Sequence, residues 1–533
     1  MAGAEVSPMA VDMGEFAREP SAAASLHEVI AGLAQRTPSV PAGVDARGEL
    51  TYEQLWRDAS EVAAALLNWG LTPLSERPVV TYMQRGCPWF TVYVAIMRCG
   101  VPTLALSGDL SDGVAEAARN REAFTMFRPQ CLVGDSSDAL SMAGGLLQIA
   151  AEAAVGTLDF AALLTSQAAL RQVPAAWPTV GQEALLAYCF TGGSTRASRA
   201  VKIPHSMALH EMRTYGEVLP EGLCGQGMRF MQNSSAYWGA ALYGQLDVAL
   251  ATGGAAVLCA ATLPDEVVTA ILHFGITCFG AVPSVLAHFG PEDVPQVRCV
   301  ISWAEELPEA VASRWCKKVP MRDLLIATEY WLALYAPLEL GRSLRLVKGV
   351  PILVLSPGGT TLVGRSEVGE MCIGGMTVCP GYVDSALDEG RFVIIDGVRY
   401  FRTRDLVRWI DQGTCLEYCG RCDDMVKVGG KWVDIKALQE AVAGVSGVKE
   451  AKLLCGMEKH HAFVVLNHSR SDANGHHWSA VLEAIRCQLP AAFSVHITAC
   501  SSLPRHPATG KVDRQRLIKA VQEEALSITS ASR

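Results

Sequence analysis

The sequence predicts an α/β protein. Its large N-terminal part carries parallel-rich sheets flanked by helices and a small antiparallel subdomain, and a small α+β C-terminal domain follows. Three observations predict this. The chain has 533 residues, half of them hydrophobic, enough for a large core and more than one domain. Up to about residue 350, short apolar runs alternate with helical stretches, the pattern of parallel sheets with crossover helices. Beyond that point short β-rich runs crowd together between Gly and Asp-Gly turns, and then helix and strand alternate again.

Residues 1–24 read as a loose leader. Met1 to Pro20 holds Glu5, Asp12, Glu15 and Glu19 and no apolar run of signal-peptide type. The first helix is expected in "SLHEVIAGLAQR", where Ser25 and Glu28 have capping-box spacing. Thr51 and Gln54 repeat that spacing in "TYEQLWRDASEVAAALLNWG", which should stop at Gly70. "RPVVTYM" is a short strand, and "FTVYVAIMRCG" is a buried helix ending at Gly100. "QCLVGD", "EALLAYCF", "AAVLCA", "ITCFGAV" and "QVRCVIS" are further buried strands. The stretch at 248–264, "VALATGGAAVLCAATLP", is short for a membrane span and contains Gly253, Gly254 and Pro264, so a buried strand–turn segment is expected.

"GVPILVLSP", "TTLVGR", "GEMCIGG", "RFVIIDGVRYFR" and "DLVRWIDQGTCLEYCG" supply the antiparallel strands, with Asp-Gly as a hairpin signal. "DIKALQEAVAGV", "VKEAKLLCGM", "HHAFVVLN", "SAVLEAIRCQL" and "VHITACSSLP" form the C-terminal α+β unit. The boundary falls at "GRCDD", which divides the chain into 25–421 and 422–520 with a tail at 521–533.

Composition narrows the function. A net charge of −9 without a basic block argues against nucleic acid as a partner. Seventeen cysteines in no framework spacing, with no secretory signal, point to reduced thiols and a cytoplasmic protein without a membrane span. "CGRC" at 419–422 has Cys-x-x-Cys form but lies in a turn between strands, away from the helix N-terminus that would activate it. The His pairs 460–461 and 476–477 lack partners at metal-ligand spacing. Asn233 and Asn467 begin glycosylation sequons that mean little without secretion. No nucleophile-elbow sequence is present.

The richest segment is "FTGGSTRASRAVKIPH", residues 190–205. A Gly-rich turn with hydroxyl side chains, set between a strand and a helix, can direct amides and hydroxyls at phosphate oxygens. A plain polar turn fits the composition equally well. No Gly-Lys-Ser/Thr closes it, so it is not a Walker loop, and "PATGKVDR" fails the same test.

Seven segments in one order, from about Ser25 to Leu517, give the chain its resemblance to the acyl-adenylate-forming superfamily, the AMP-forming ligases that include acyl-CoA synthetases and the adenylation domains of nonribosomal peptide synthetases. In the phosphate loop Phe190, Thr191, Gly192, Gly193, Ser194, Thr195, Val201 and His205 match the family pattern. Arg196 replaces a Gly, Ser198 a Pro, Arg199 a Lys and Ala200 a Gly. "SWAEELP" at 302–308 is similar to the Gly-Ala/Gly-Glu segment beside the adenine. In "DLLIATEYW", Thr328 and Glu329 match a phosphate-contacting Thr and a Glu that helps hold magnesium, and Leu325 stands where an aromatic usually stacks on adenine. "GEMCIGGMTVCPGYVD" resembles the next segment. In "FRTRDLVRW", Asp405 matches the ribose carboxylate, while Arg404 replaces a Gly. In "GRCDDMVKVGGKWVD", Arg421 matches the ribose/phosphate-side Arg and Asp423 the interdomain hinge, and "GGKWV" resembles acyl- and aryl-CoA ligases. Lys511 in "LPRHPATGKVDRQRL" matches the catalytic lysine.

The resemblance implies a mobile C-terminal domain that swings about Asp423. It implies ATP and Mg2+ as cofactors, with Glu329 as metal ligand and Thr191, Gly193, Ser194, Thr195, Arg199, Thr328, Glu329, Asp405 and Arg421 around the nucleotide. It implies activation of a small carboxylic acid to an acyl-AMP with loss of pyrophosphate, then transfer to CoA or to phosphopantetheine on a separate carrier protein. The acidic residue that clamps an α-ammonium in peptide synthetases has no counterpart before Asp247. Tyr237 and Trp238 line the acyl pocket or are core aromatics. The changed positions Arg196, Ser198, Arg199, Ala200, Leu325 and Arg404 keep a second reading open, a non-catalytic relative used for binding or scaffolding.

Overall fold

The computed structural model describes residues 23–106, 113–136, 140, 145–165, 176–191, 199–225, 227–422, 425–428, 431–455, 460–467, 476–489, 493, 495–505, 512–523 and 529–530. The expected helices form where local signals are complete. Tyr52–Trp69 starts on Thr51, whose side chain accepts from the Gln54 amide while Gln54 reaches back, and it ends at Gly70 with φ +114°. Leu26–Arg36 forms without the box expected at Ser25. That hydroxyl meets His27 Nδ1 at 2.9 Å, and Glu28 instead accepts from the Ala24 amide at 2.7 Å. Cys87–Arg98 is buried from Trp89 to Met97, as its apolar sequence predicts.

A six-stranded sheet runs in the order Gly156–Asp159, Cys131–Gly134, Val79–Tyr82, Thr103–Leu106, Leu185–Thr191, Arg199–Pro204. Its pairs are parallel up to Leu185–Thr191, which turns back antiparallel onto Arg199–Pro204. A second sheet of fourteen strands is parallel through Pro41–Asp45, Ala255–Leu258, Arg229–Gln232, Cys278–Ala281, Cys299–Ser302 and Met321–Ala327. It then continues antiparallel through Tyr330–Pro337, Leu344–Leu346, Cys415–Arg421, Val398–Ile410, Gly369–Gly374 and Ile352–Leu355. The antiparallel strands after residue 350 are thus continuous with the large sheet. The Asp-Gly signal is a hairpin turn, with Asp396 at φ +50° and Gly397 at φ +77°.

The apolar stretch at 248–264 is a helix, Asp247–Thr252, a left-handed Gly253 and a strand, Ala255–Leu258. It is buried as expected, with a helical first half. Among the described residues no helix is long and apolar enough to cross a membrane.

One large core joins both sheets and the helices between them. Trp303 lies closely over Gly280: a Cβ built on Gly280 would lie 1.8 Å from the indole. The C-terminal segment has cores of its own, around Val442, Ile485 and Phe493 and around Leu454, Phe463 and Leu517. Its strands Val448–Leu454, His460–Leu466, Val495–Cys500 and Thr529–Ser530 form one mixed sheet. The described cysteines are free thiols, Cys419 and Cys422 included.

Candidate nucleotide site

The phosphate-loop segment is a hairpin. Thr191 pairs with Arg199 as the last register position before the loop, so the two strands hold both ends of 192–198. Gly193, Ser194 and Thr195 lie outside the described residues. The hairpin is secured from the neighbouring chain: the Phe190 amide donates to the Tyr237 carbonyl at 3.0 Å, and the two rings stack at 4.2 Å. Tyr237 is 1% exposed, with the Arg119 guanidinium 4.6 Å from its ring and Trp238 edge-on at 4.8 Å. Both aromatics therefore belong to the packing of this hairpin.

Thr328 and Glu329 are the two-residue turn between Met321–Ala327 and Tyr330–Pro337, closed by the Ala327–Tyr330 pair. Both are buried. Glu329 Oε1 accepts from the Tyr382 hydroxyl at 2.6 Å and stands 3.7 Å from Arg199 Nη2. The Arg199 guanidinium carbon sits 5.2 Å from the Tyr382 ring centre. Burial and the Glu329 charge push the Tyr382 phenol far up, so it remains a donor. Tyr382 reaches this point because 381–383 lies along the phosphate-loop strand: Lys202 N donates to Gly381 O and Val383 N to Ala200 O, at 3.1 and 2.9 Å. The same segment meets the turn where Cys379 N donates to Glu329 O at 2.9 Å. "PGY" matched by sequence, but nothing there marked Tyr382 as the phenol facing Glu329.

The Thr328 side chain lies beside the Tyr243 phenol and offsets a little of the burial that pushes it up. Tyr243 and Gly244 are non-helical, with ψ 141° and φ +72°, and kink the chain within Leu242–Leu246. Gly244 supplies the left-handed backbone there, and a Cβ on it would meet Trp303 at 3.4 Å. Leu325 lies in the strand leading to Thr328, opposite Leu334.

On the ribose side, Asp405 and Arg421 are cross-strand partners. Arg421 Nη1 donates to Asp405 Oδ1 at 2.8 Å, and the Tyr330 hydroxyl lies 3.4 Å from Oδ2. Asp405 is 2% exposed. Burial pushes its carboxyl up to about 6, against the opposing pull of Arg421 and the hydrogen bonds from Thr403, Tyr330 and Arg421. Tyr330 immediately follows Glu329, so one short hairpin connects the ribose carboxylate to the phosphate-side turn. Arg404 holds φ +67°, the left-handed backbone its family Gly would adopt freely. Its Nε lies 4.0 Å from Glu370, a buried carboxylate that also pairs with Arg402.

The structure thus brings together Thr191, Arg199, Thr328 and Glu329, with Asp405 and Arg421 linked to them through Tyr330. Asp423 and Lys511 lie outside the described residues. A divalent cation fits this site poorly. Magnesium is a hard ion that takes carboxylate and phosphate oxygens. Glu329 has an oxygen already held by a phenol and faced by a guanidinium, and among the described residues no group of three or more His, Cys, Asp or Glu could hold a metal.

Comparison with known proteins extends this picture. The model of the AMP-binding enzyme family matches residues 31–383. Nonribosomal peptide synthetase sidE of Aspergillus fumigatus is 27% identical over 371 residues, 64% of this chain and 17% of that protein. The chain spans 17%, 8% and 16% of the first three curated relatives it matches, so it is similar to one part of much longer proteins. Among solved structures, ATP-bound MatB from Rhodopseudomonas palustris superposes with a TM-score of 0.70 at 20% identity, over 94% of this chain and 100% of that one. O-succinylbenzoate Coenzyme A synthetase from Bacillus subtilis in complex with AMP gives 0.67 at 18%, over 92% and 97%. At these identities the likeness shows the fold alone.

Proposed function

The chain belongs to the AMP-binding enzyme family, and from that premise we propose that it activates a carboxylic acid with ATP. A carboxylate oxygen of the acid bonds to the α-phosphorus, the bond to the β-phosphate oxygen breaks, and pyrophosphate leaves. A thiolate sulfur then attacks the acyl carbon and AMP departs with the electron pair of the broken C–O bond. The acceptor is CoA or a carrier-protein phosphopantetheine. The peptide-synthetase relative supports the carrier, and the "GGKWV" segment supports CoA.

The observation that carries the reading is a cross-strand pair linked to a turn: Asp405 with Arg421 on one side of Tyr330, Thr328 with Glu329 on the other. In this reading Asp405 accepts from the ribose hydroxyls and Arg421 keeps it ionised. Thr328, Thr191 and the Gly193, Ser194 and Thr195 donors face the phosphates. Lys511 neutralises charge between the acid and the α-phosphate in the transition state, and Asp423 is the hinge that withdraws it.

Left-handed Arg404, and Arg199 in place of a Lys, favour the second reading of a non-catalytic relative. ATP–pyrophosphate exchange across a panel of carboxylic acids separates the two. Acid-dependent exchange that Lys511→Ala abolishes supports the ligase. No exchange and no ATP binding supports the non-catalytic relative. Addition of CoA or a carrier protein to the active case then identifies the acceptor.

A further inference from the structure

We propose that Arg199 is a resident cation for Glu329, supplying beside the nucleotide phosphates the positive charge that a protein-held divalent metal would otherwise supply. The inference rests on the acid-activation reading.

A buried carboxylate needs polar or charged partners, and Arg199 and Tyr382 are the partners the structure places on Glu329. The arrangement is built, not incidental. Arg199 leaves the sheet at the final register pair with Thr191, its own side chain only 21% exposed. The Tyr382 ring lies against the guanidinium, and the Tyr382 hydroxyl donates to the same Oε1 that Arg199 faces. The 381–383 backbone is bonded to the 200–202 backbone, which fixes that ring relative to Arg199.

A second positive centre on Glu329 would sit close to the guanidinium and be repelled by it. A guanidinium is also suited to two acceptors at once. Its planar fork offers one edge to a carboxylate and another to a phosphate, which a lysine ammonium does less well. Replacement of Lys by Arg at this position therefore changes what the site asks of the metal. A nucleoside triphosphate can be held with the charge of Glu329 already balanced by the chain.

The test is binding of ATP to the full chain by calorimetry, in buffer with Mg2+ and in buffer with EDTA. Wild type should bind free ATP and Mg-ATP with affinities within about threefold of each other. Arg199→Gln should weaken metal-free binding about tenfold or more, as loss of one charge-assisted contact predicts, and Mg2+ should recover part of it. Arg199→Lys, which keeps the charge and guards against a variant that merely misfolds, should fall between the two.

Wild-type binding that needs Mg2+ overturns the proposal. So does an Arg199→Gln variant with unchanged metal-free affinity, or an Arg199→Lys variant that behaves like the Gln variant. Failure of wild type to bind ATP in either buffer refutes the acid-activation reading on which the proposal rests. Binding that is strictly metal-dependent leaves that reading standing and removes only this one.

Discussion

Asp405→Asn should make the protein more stable and a worse nucleotide binder at the same time. Asp405 is 2% exposed, and burial raises its carboxyl from 3.8 to about 6 in spite of Arg421. A carboxyl raised in the folded state binds protons more readily there than in the unfolded chain. The stability it contributes is therefore full below pH 3.8 and is lost as pH rises toward 6. Above about pH 7 the deficit is constant, roughly 3 kcal/mol; at pH 5 it is roughly half of that.

Asn removes the charge and keeps the shape, and Arg421 is 41% exposed, so water can solvate the guanidinium it leaves behind. Urea unfolding of both proteins between pH 5 and 8 should show the advantage of the variant growing by roughly 1–2 kcal/mol across that range. AMP affinity at pH 7.5 should fall about tenfold or more, since bonds to a charged acceptor are worth about 1.5–3 kcal/mol. Wild-type affinity should decline as pH falls through 6 and that of the variant should not. A variant destabilised by the same amount at every pH would refute this reasoning, because it would mean that the pair with Arg421 outweighs burial.

Arg404→Gly should gain up to about 1 kcal/mol by relieving a left-handed Arg, less the small loss of a half-exposed pairing with Glu370. Arg404→Ala keeps the strain and loses the pairing, so unfolding midpoints should rank Gly above wild type and wild type above Ala; Gly below Ala would refute the strain. Gly280→Ala should cost about 1–3 kcal/mol, because its Cβ would lie 1.8 Å from a Trp303 ring that is 4% exposed. Trp303→Phe in the same chain should recover part of that loss, and an additive double mutant would refute the clash. Glu211 and Asp247 are fully buried together, with the Tyr93 and Tyr215 phenols and Cys189 close by, and burial pushes both carboxyls up, Asp247 to about 7. The contribution of Asp247 is lost as pH rises through that value, so Asp247→Asn should stabilise at pH 8 and do little at pH 5; the reverse order in thermal unfolding would refute the raised Asp247 carboxyl.

What the amino-acid sequence made legible depended on how far away each residue finds its partner. Thr51 and Gln54 lie within one turn, and the capping box they predict is present. Ser25 and Glu28 have the same spacing, yet His27, itself packed near His205, takes the Ser25 hydroxyl. A contact 178 residues away thus competes with a local rule. The large sheet was legible as strands but not as one sheet, because hydrophobic alternation says nothing about which edges meet.

The site follows the same division. Thr328, Glu329, Asp405 and Arg421 could be placed one by one from their neighbours in sequence. Tyr382 could not, since it matters only after 381–383 pairs with 200–202 and its phenol arrives 53 residues from Glu329. Arg404 shows the converse. Read along the chain it is a broken glycine rule, a mark of decay. In the structure it holds a left-handed backbone within the strand Val398–Ile410, next to Asp405, which still pairs with Arg421. Arg199 belongs with it: as a missing lysine it argues for loss of function, but 3.7 Å from Glu329 it sets a guanidinium against that carboxylate. Departures from a family pattern therefore carry opposite meanings according to what the fold sets beside them, and along the chain alone the two cases look the same.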